Sequence, residues 1–170
     1  RDGGRGVTIR WTIVDSPLGP MLIAATAKGI CRLTFDEGEE ALRRLFPNAT
    51  LIADDGSMAK LVQGALAAIE QPMAVPELPI DVAGTAFQES VWRELRKIPP
   101  GETRSYAQIA AAIGQPGAVR AVGSANGANP VAVIVPCHRV VRSDGSLGGY
   151  AGGVERKRRL LMSEGSGSLL

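Results

Sequence analysis

Histidine is almost missing from this chain: its 170 residues include one, His138. Any catalyst that needs two imidazoles is thereby excluded, and a Cys/His zinc site nearly so. Cysteine is scarce as well. Cys31 and Cys137 are the whole supply, too few for a disulfide framework, so a reducing compartment is the default expectation. No apolar run reaches the length that a membrane span needs. The opening Arg-Asp-Gly-Gly-Arg-Gly lacks an initiator Met and any signal-peptide pattern, and residues 1–6 read as a linker stub. What is present is ordinary. At 45% hydrophobic and 21% charged the composition suits a folded globular chain rather than a disordered one, and the length suits one domain or two small ones.

The formal net charge of +2 hides a partition. Residues 1–90 carry 8 Lys/Arg against 12 Asp/Glu, a balance of −4, whereas residues 91–161 carry 11 against 4, a balance of +7. A basic C-terminal half fits a polyanionic partner such as nucleic acid, although a solvated basic face has the same composition.

Along the chain, Val7–Val14 alternates its faces and is rich in β-branched residues, which predicts a strand. Ser16-Pro17-Leu18-Gly19 and Lys28-Gly29 are turns, so Met21–Thr26 and Ile30–Phe35 complete a three-stranded antiparallel meander. Glu37–Phe46, with Ala41, Leu42, Leu45 and Phe46 at helical spacing, and Ser57–Glu70, with Leu61, Ala65, Leu66 and Ile69, predict two helices. Strands followed by helices indicate a small α/β domain over residues 7–79. Pro72, Pro76 and Pro79 mark a connector. Residues 80–164 then turn helical. Thr85-Ala-Phe-Gln88 and Ser105-Tyr-Ala-Gln108 are capping boxes, the first opening a helix to about Ile98 and the second one that ends at Gly114. The turn Gln115-Pro116-Gly117 leads to a small-residue helix over Ala118–Asn126, a helix-turn-helix pattern in the basic half. Ser143-Asp144-Gly145 is a hairpin turn, Val154–Ser163 a basic amphipathic helix, and residues 165–170 a tail.

Cys137 is the sharpest chemical candidate. Free cysteine is most often a small buried hydrophobe, and Cys31 is read that way. Cys137 differs because it ends the apolar run Val131–Val135 after a proline and is followed by His138 and Arg139. A nearby base or cation lowers a thiol's pKa and makes the thiolate nucleophile available. Neighbours on an extended strand point to opposite faces. His138 is therefore expected to reach the thiol through a bridging water, with an acid orienting the imidazole from behind. Glu164 is the acid chosen, although a surface Glu is the plainer reading of that position. Arg120, among Ala118, Val119, Ala121, Val122 and Gly123, suits a helix that approaches a narrow groove closely; a small-residue core helix with a snorkelling Arg fits equally well. Asn129-Pro130 is a turn or the buttress of a strained loop, and Tyr106 a core residue or a hydroxyl offered to a ligand. Gly148–Gly153 is too glycine-rich for a helix or regular strand and only weakly like a phosphate loop; a pocket wall exposing backbone N–H groups fits better.

Taken together, Pro136-Cys137-His138-Arg139-Val140-Val141, preceded by Asn129-Pro130 and Arg120-Ala121-Val122-Gly123, resembles the signature of the O6-alkylguanine-DNA alkyltransferases, which is highly specific at this spacing. Thr85–Gln88, Gly101–Thr103 and Ser105-Tyr106 look most similar to the C-terminal domain of bacterial Ada proteins. The likeness runs from about Val7 to Glu164. It implies a ribonuclease-H-like α/β domain followed by a winged-helix domain. It also implies repair by single-turnover alkyl transfer from O6-alkylguanine in duplex DNA, with the base flipped through the minor groove. By that resemblance Cys137 matches the alkyl acceptor, His138 the water-relayed base, Glu164 the acid behind it and Asn129 the residue that holds the active-site turns. Arg120 matches the finger that fills the base stack, on a DNA-facing helix with Ala118, Val119, Ala121 and Gly123. Tyr106 matches the hydroxyl facing the flipped nucleotide. The pocket is expected to take in Val140, Tyr150, Ala151 and Trp92, Val140 and Ala151 largely through backbone groups; the family often has Ser where Ala151 stands. No cofactor and no zinc are expected, and the protein is expected to be a cytoplasmic monomer working at the nucleoid. The rivals are a non-catalytic sensor of alkylated DNA, which would lack the cysteine, a Cys–His hydrolase, which would need an opposed histidine, and a winged-helix regulator, which leaves Pro136–Arg139 unexplained.

Overall fold

A computed structural model describes residues 3–74 and 77–165. The two ends of the expected stub and tail, residues 1–2 and 166–170, lie outside that range. Residues 3–6 are not a detached stub: the Gly3 carbonyl accepts the Asn48 N–H at 2.6 Å and the Gly4 carbonyl accepts that of Val7 at 3.0 Å.

The β-branched stretch forms β1 (Thr8–Ser16), followed by β2 (Gly19–Thr26) and β3 (Gly29–Phe35). The meander is antiparallel as expected, with Thr12 opposite Ile23 and Ile23 opposite Leu33. A fourth strand, β4 (Thr50–Ala53), was not expected. It runs parallel to β1, and the sheet order is β3-β2-β1-β4. Its four residues are mostly exposed, so its own sequence has no buried alternation to announce it, and the pairing comes from β1. The central β2 is buried from Met21 to Ala25 because both faces of the sheet are covered. On one face Leu42 of α1 (Glu39–Leu45) joins Ile9, Leu22, Ala24 and Cys31. Leu45, expected on that apolar stripe, is 48% exposed, since the short helix rests on the sheet through Ala41 and Leu42. On the other face α2 (Ala59–Glu70) contributes Ala65 and Ile69 to the main core.

Both capping boxes are formed. Thr85 Oγ1 accepts the Gln88 N–H at 3.1 Å at the start of α3 (Ala86–Leu95), and Ser105 Oγ accepts the Gln108 N–H at 3.0 Å at the start of α4 (Tyr106–Ala112). Each glutamine returns the bond to the capping residue's N–H. α5 (Val119–Gly127) packs across both helices, and the Trp92 indole N–H donates to the Ala125 carbonyl at 2.8 Å. A short parallel pair, β5 (Arg104–Ser105) with β6 (Val140–Val141), and α6 (Val154–Ser163) complete the chain. Among the described residues, no helix is long and apolar enough to cross a membrane.

The two halves of the sequence share their core. Leu33 and Ile23 lie in one cluster with Val91, Val122 and Val135, and the outer edge of β3 is closed by later segments. Ile30 N–H donates to Pro79 O at 3.0 Å, Leu33 N–H to Pro130 O at 2.9 Å, and Ala132 N–H to Leu33 O at 3.0 Å. The strand edge that would otherwise invite association thereby anchors the loop that leads to Cys137. Gly29 is the tight point. A Cβ there would sit 2.6 Å from the Pro79 carbonyl carbon. Gly29→Ala is expected to cost about 2 kcal/mol or more in urea denaturation; a change within about 0.5 kcal/mol would show that the 79–81 segment yields freely.

Candidate active site

Two asparagines, Asn126 in the last turn of α5 and Asn129 just beyond the helix, hold the next loop. Asn129 Nδ2 donates to the Val135 carbonyl at 2.8 Å, and its Oδ1 accepts the Val131 N–H at 3.0 Å. Between those anchors Val133 is held at φ 71°, a conformation that a β-branched residue adopts only under constraint. Cys137–Arg139 then forms one 3-10 turn, not the extended strand assumed from sequence. The Cys137 N–H donates to Val135 O at 2.7 Å, and Asn126 Nδ2 donates to the Cys137 carbonyl at 3.3 Å.

Glu164, 2% exposed at the C-cap of α6, meets this turn. Its Oε2 lies 2.8 Å from His138 Nε2, and Arg139 donates to both of its oxygens, each at 2.9 Å. The remaining Arg139 amino group reaches the Ile98 carbonyl at 2.7 Å. Burial raises the Glu164 pKa, but the His138 and Arg139 hydrogen bonds outweigh it and bring the carboxyl down to about 2. His138 is fully buried, and burial pulls its pKa below the usual range against the opposing pull of Glu164. It is therefore neutral at pH 7. A neutral imidazole beside a carboxylate puts its proton on Nε2, so Nδ1 carries the free lone pair, and among the described residues Nδ1 has no hydrogen-bond partner.

The thiol departs from expectation. Burial pushes Cys137 up, above the usual thiol range, against the Asn129 hydrogen bond and the Lys157 charge that pull it down. At rest it is a thiol, and it needs a base. Lys157 is buried on α6, with Nζ 2.7 Å from the Val140 carbonyl and 3.2 Å from that of Gly149. Burial lowers its pKa to about 8. Cys31 lies in the sheet core, and burial pushes it up to about 12.

Cys137 lies at the floor of a cleft of about 940 Å³. One wall is the small-residue face of α5, with Val119, Arg120, Gly123 and Gly127; the other is Arg142 with the loop Gly149-Tyr150-Ala151, and Tyr106 stands between them. Arg120 and Ala121 are exposed and Ala118 is half-buried, so α5 turns its small face outward rather than into a core. Tyr106 is half-buried, and a Cβ at Gly148 would come within 2.7 Å of its hydroxyl, so the glycine loop packs directly on the ring. A smaller compartment of about 290 Å³ adjoins Cys137, Asn126 and Tyr150 on the far side and reaches Thr34 and Phe35 of β3. Two expected pocket residues do not border the cleft. Trp92 is spent on packing and on the Ala125 carbonyl. Val140 is fully buried, with its carbonyl taken by Lys157.

Sequence reasoning passed over Asn126, Lys157 and the ion-pairing role of Arg139. A helical signal existed for the first two: Asn126 lies on one stripe with Val122 and Asn129, and Lys157 on one stripe with Leu160, Leu161 and Glu164. Polar residues on a stripe that is otherwise buried are informative. Arg139 gave no such signal, because its carboxylate partner is 25 residues away. Among the described residues, no group of three or more His, Cys, Asp or Glu converges as a metal site would.

Two family descriptions match the chain: 6-O-methylguanine DNA methyltransferase, ribonuclease-like domain, over residues 9–76, and the DNA binding domain of the same family over 86–166. Among curated relatives it is similar to the bifunctional transcriptional activator/DNA repair enzyme Ada of Escherichia coli, 45% identical over 96% of this chain. The chain spans about half of that protein's length, 48%. The methylated-DNA–protein-cysteine methyltransferase of Mycobacterium bovis is 43% identical, over 93% of both chains. A crystal structure of Mycobacterium tuberculosis OGT in complex with DNA superposes with a TM-score of 0.81 at 42% identity, over 94% of both chains.

The depressed Glu164 pKa makes stability pH-dependent in a defined direction. A carboxyl near 2 when folded and near the ordinary 4.5 when unfolded adds stability that is complete above pH 4.5 and is lost as pH falls from there toward 2. Unfolding midpoints of Glu164→Gln should therefore be less steep in pH across that window than those of the wild type. Equal slopes would mean that the carboxylate is not held by its two partners.

Proposed function

The chain belongs to the 6-O-methylguanine DNA methyltransferase family, and from that premise we propose that it repairs O6-alkylguanine in duplex DNA by moving the alkyl group to its own Cys137. The observation that carries the reading is a buried thiol at the floor of a cleft, one residue from a neutral His138 with Nδ1 unpartnered and Nε2 fixed on Glu164. In this reading residues 7–79 are a ribonuclease-H-like domain, supported by the sheet order β3-β2-β1-β4 with β4 parallel to β1. Residues 80–164 are a winged helix with α4 and α5 as its helix-turn-helix. The alkylated base flips through the minor groove into the cleft, because its O6 carbon is shielded within the stack. Exposed Arg120, which has no ion pair or hydrogen bond among the described residues, fills the gap left behind.

His138 Nδ1 takes the Cys137 proton through a bridging water, and Glu164 stabilises the imidazolium that forms. Sγ bonds to the alkyl carbon as the carbon–O6 bond breaks, with its electron pair remaining on guanine. The proton passes on to guanine, so the sum is thiol plus O6-alkylguanine giving thioether plus guanine. The hydroxyls of Tyr106 and Tyr150, both kept protonated by burial, are donors for the charge that develops on the leaving base. Water does not cleave a thioether, and each chain acts once. One chain contains the whole relay, so a monomer suffices. The work is done wherever the chromosome is, which in a bacterium is the cytoplasm.

Mixing the protein with an O6-methylguanine duplex should add one methyl, on the peptide that contains Cys137, and stop at one per chain. Cys137→Ala should bind the duplex without transfer; residual transfer would move the acceptor to Cys31, and a wild type that binds but stays unmodified would be a sensor or a regulator. Arg120→Ala should slow transfer from duplex by about tenfold or more relative to transfer from the free base, since unstacking a base costs a few kcal/mol. Equal slowing would reject the finger.

A further inference from the structure

Most arginines of the basic half are committed. Arg96, Arg104, Arg139, Arg156, Arg158 and Arg159 each have a hydrogen bond or ion pair to a carbonyl or carboxylate. Among the described residues Arg93, Arg120 and Arg142 have neither, and the last two border the cleft from opposite walls. Arg142 is exposed, yet its backbone is fixed. Its N–H donates to the Ser146 carbonyl and its carbonyl accepts the Gly145 N–H, each at 2.9 Å. It directly follows β6, which pairs with β5, and β5 leads into Tyr106 at the start of α4. Asp144, two residues on, spends its Oδ1 on the Ser146 N–H at 2.9 Å and hydroxyl at 2.7 Å, and makes no ion pair with Arg142 among the described residues. Burial raises the Tyr106 pKa and the Arg142 charge opposes it, so the guanidinium acts toward the cleft.

Resting on the reading above, the inference concerns the DNA backbone and not the base. A nucleotide turned out of the duplex takes its sugar and both flanking phosphates with it. With its base against Cys137, those phosphates come to the rim of the cleft. The α5 wall meets them with Val119, Gly123 and Gly127 and with Arg120, which the same reading places in the base stack. Positive charge for the displaced backbone is left to the other wall. A guanidinium takes two phosphate oxygens through paired N–H donors, and a fixed main chain reduces the ordering that such a contact costs. We propose that Arg142 binds a phosphate flanking the flipped nucleotide and holds the rotated backbone at the rim while the base reacts.

The test reads single-turnover methylation of Cys137 from free O6-methylguanine, from a duplex containing it, and from two duplexes with a neutral methylphosphonate immediately 5′ or 3′ of the lesion. Arg142→Gln leaves both backbone bonds of the residue in place. It should slow transfer from the unmodified duplex about tenfold relative to transfer from the free base, the scale of one charge-assisted contact. Wild type should lose as much on one of the two methylphosphonate duplexes, and Arg142→Gln should lose nothing further on that duplex. Equal slowing of free base and duplex would put the action of Arg142 on Tyr106 or the base, and losses that add at both phosphates would put it on neither phosphate; each overturns the proposal. So does a variant that matches wild type on the unmodified duplex. A wild type that stays unmethylated with every substrate fails at the earlier step and rejects alkyl transfer itself, together with the inference built on it.

Discussion

A carboxylate removed from solvent at the C-terminal end of a helix is disfavoured twice, by desolvation and by the helix dipole. Glu164 occupies that position, and the candidate site depends on how it is satisfied. Its partners, His138 and Arg139, are adjacent residues of the turn that begins at Cys137, so neutralising the charge also fixes the turn. Arg139 extends the hold to the Ile98 carbonyl just beyond α3. Three segments distant in sequence are thereby locked around one anion. Apolar residues of similar volume could give comparable stability. They could not hold an imidazole in one tautomer with Nδ1 free.

In the proposed reaction, that arrangement explains why a high thiol pKa suits a nucleophile that is used once. A thiolate at rest would be open to any stray electrophile. Burial keeps Cys137 protonated, while His138, also buried, stays neutral and able to take a proton. In the proposed reaction, deprotonation would coincide with the arrival of a base in the cleft. Lys157 adds positive charge near the sulfur, yet both of its hydrogen bonds go to backbone carbonyls. Its geometry is that of a strut between β6 and the glycine loop.

Where structure is decided locally, the sequence could be read closely. The capping boxes at Thr85 and Ser105 need only a four-residue pattern, and both formed. The hairpins of β1 to β3 follow from alternation interrupted by turns, and α6 spans Val154–Ser163 as its periodicity predicts. Cys137 and His138 stood out through residue type and adjacency. What escaped depends on distant partners. β4 exists because β1 offers it an edge. Val133 takes φ 71° because Asn129 clamps the loop on both sides of it. Trp92 looked like a pocket aromatic until its N–H was found on the Ala125 carbonyl. Asn126 could be recognised as polar on a buried stripe, but its bond to the Cys137 carbonyl is a tertiary fact.

α5 joins these observations physically. Its outer face holds Arg120, Gly123 and Gly127 along the cleft, its inner face holds Val122 and Ala125, and the buried Asn126 also borders the cleft. The 3.6-residue period fixes the two sets relative to one another. The Trp92 indole pins the helix at Ala125, and the Asn126 amide ties it to the Cys137 carbonyl. Whatever settles against the outer face is therefore positioned with respect to the sulfur by a single rigid element. Gly123 and Gly127 leave room for a close approach on that face, since each added methylene there would hold a partner's backbone further from the sulfur.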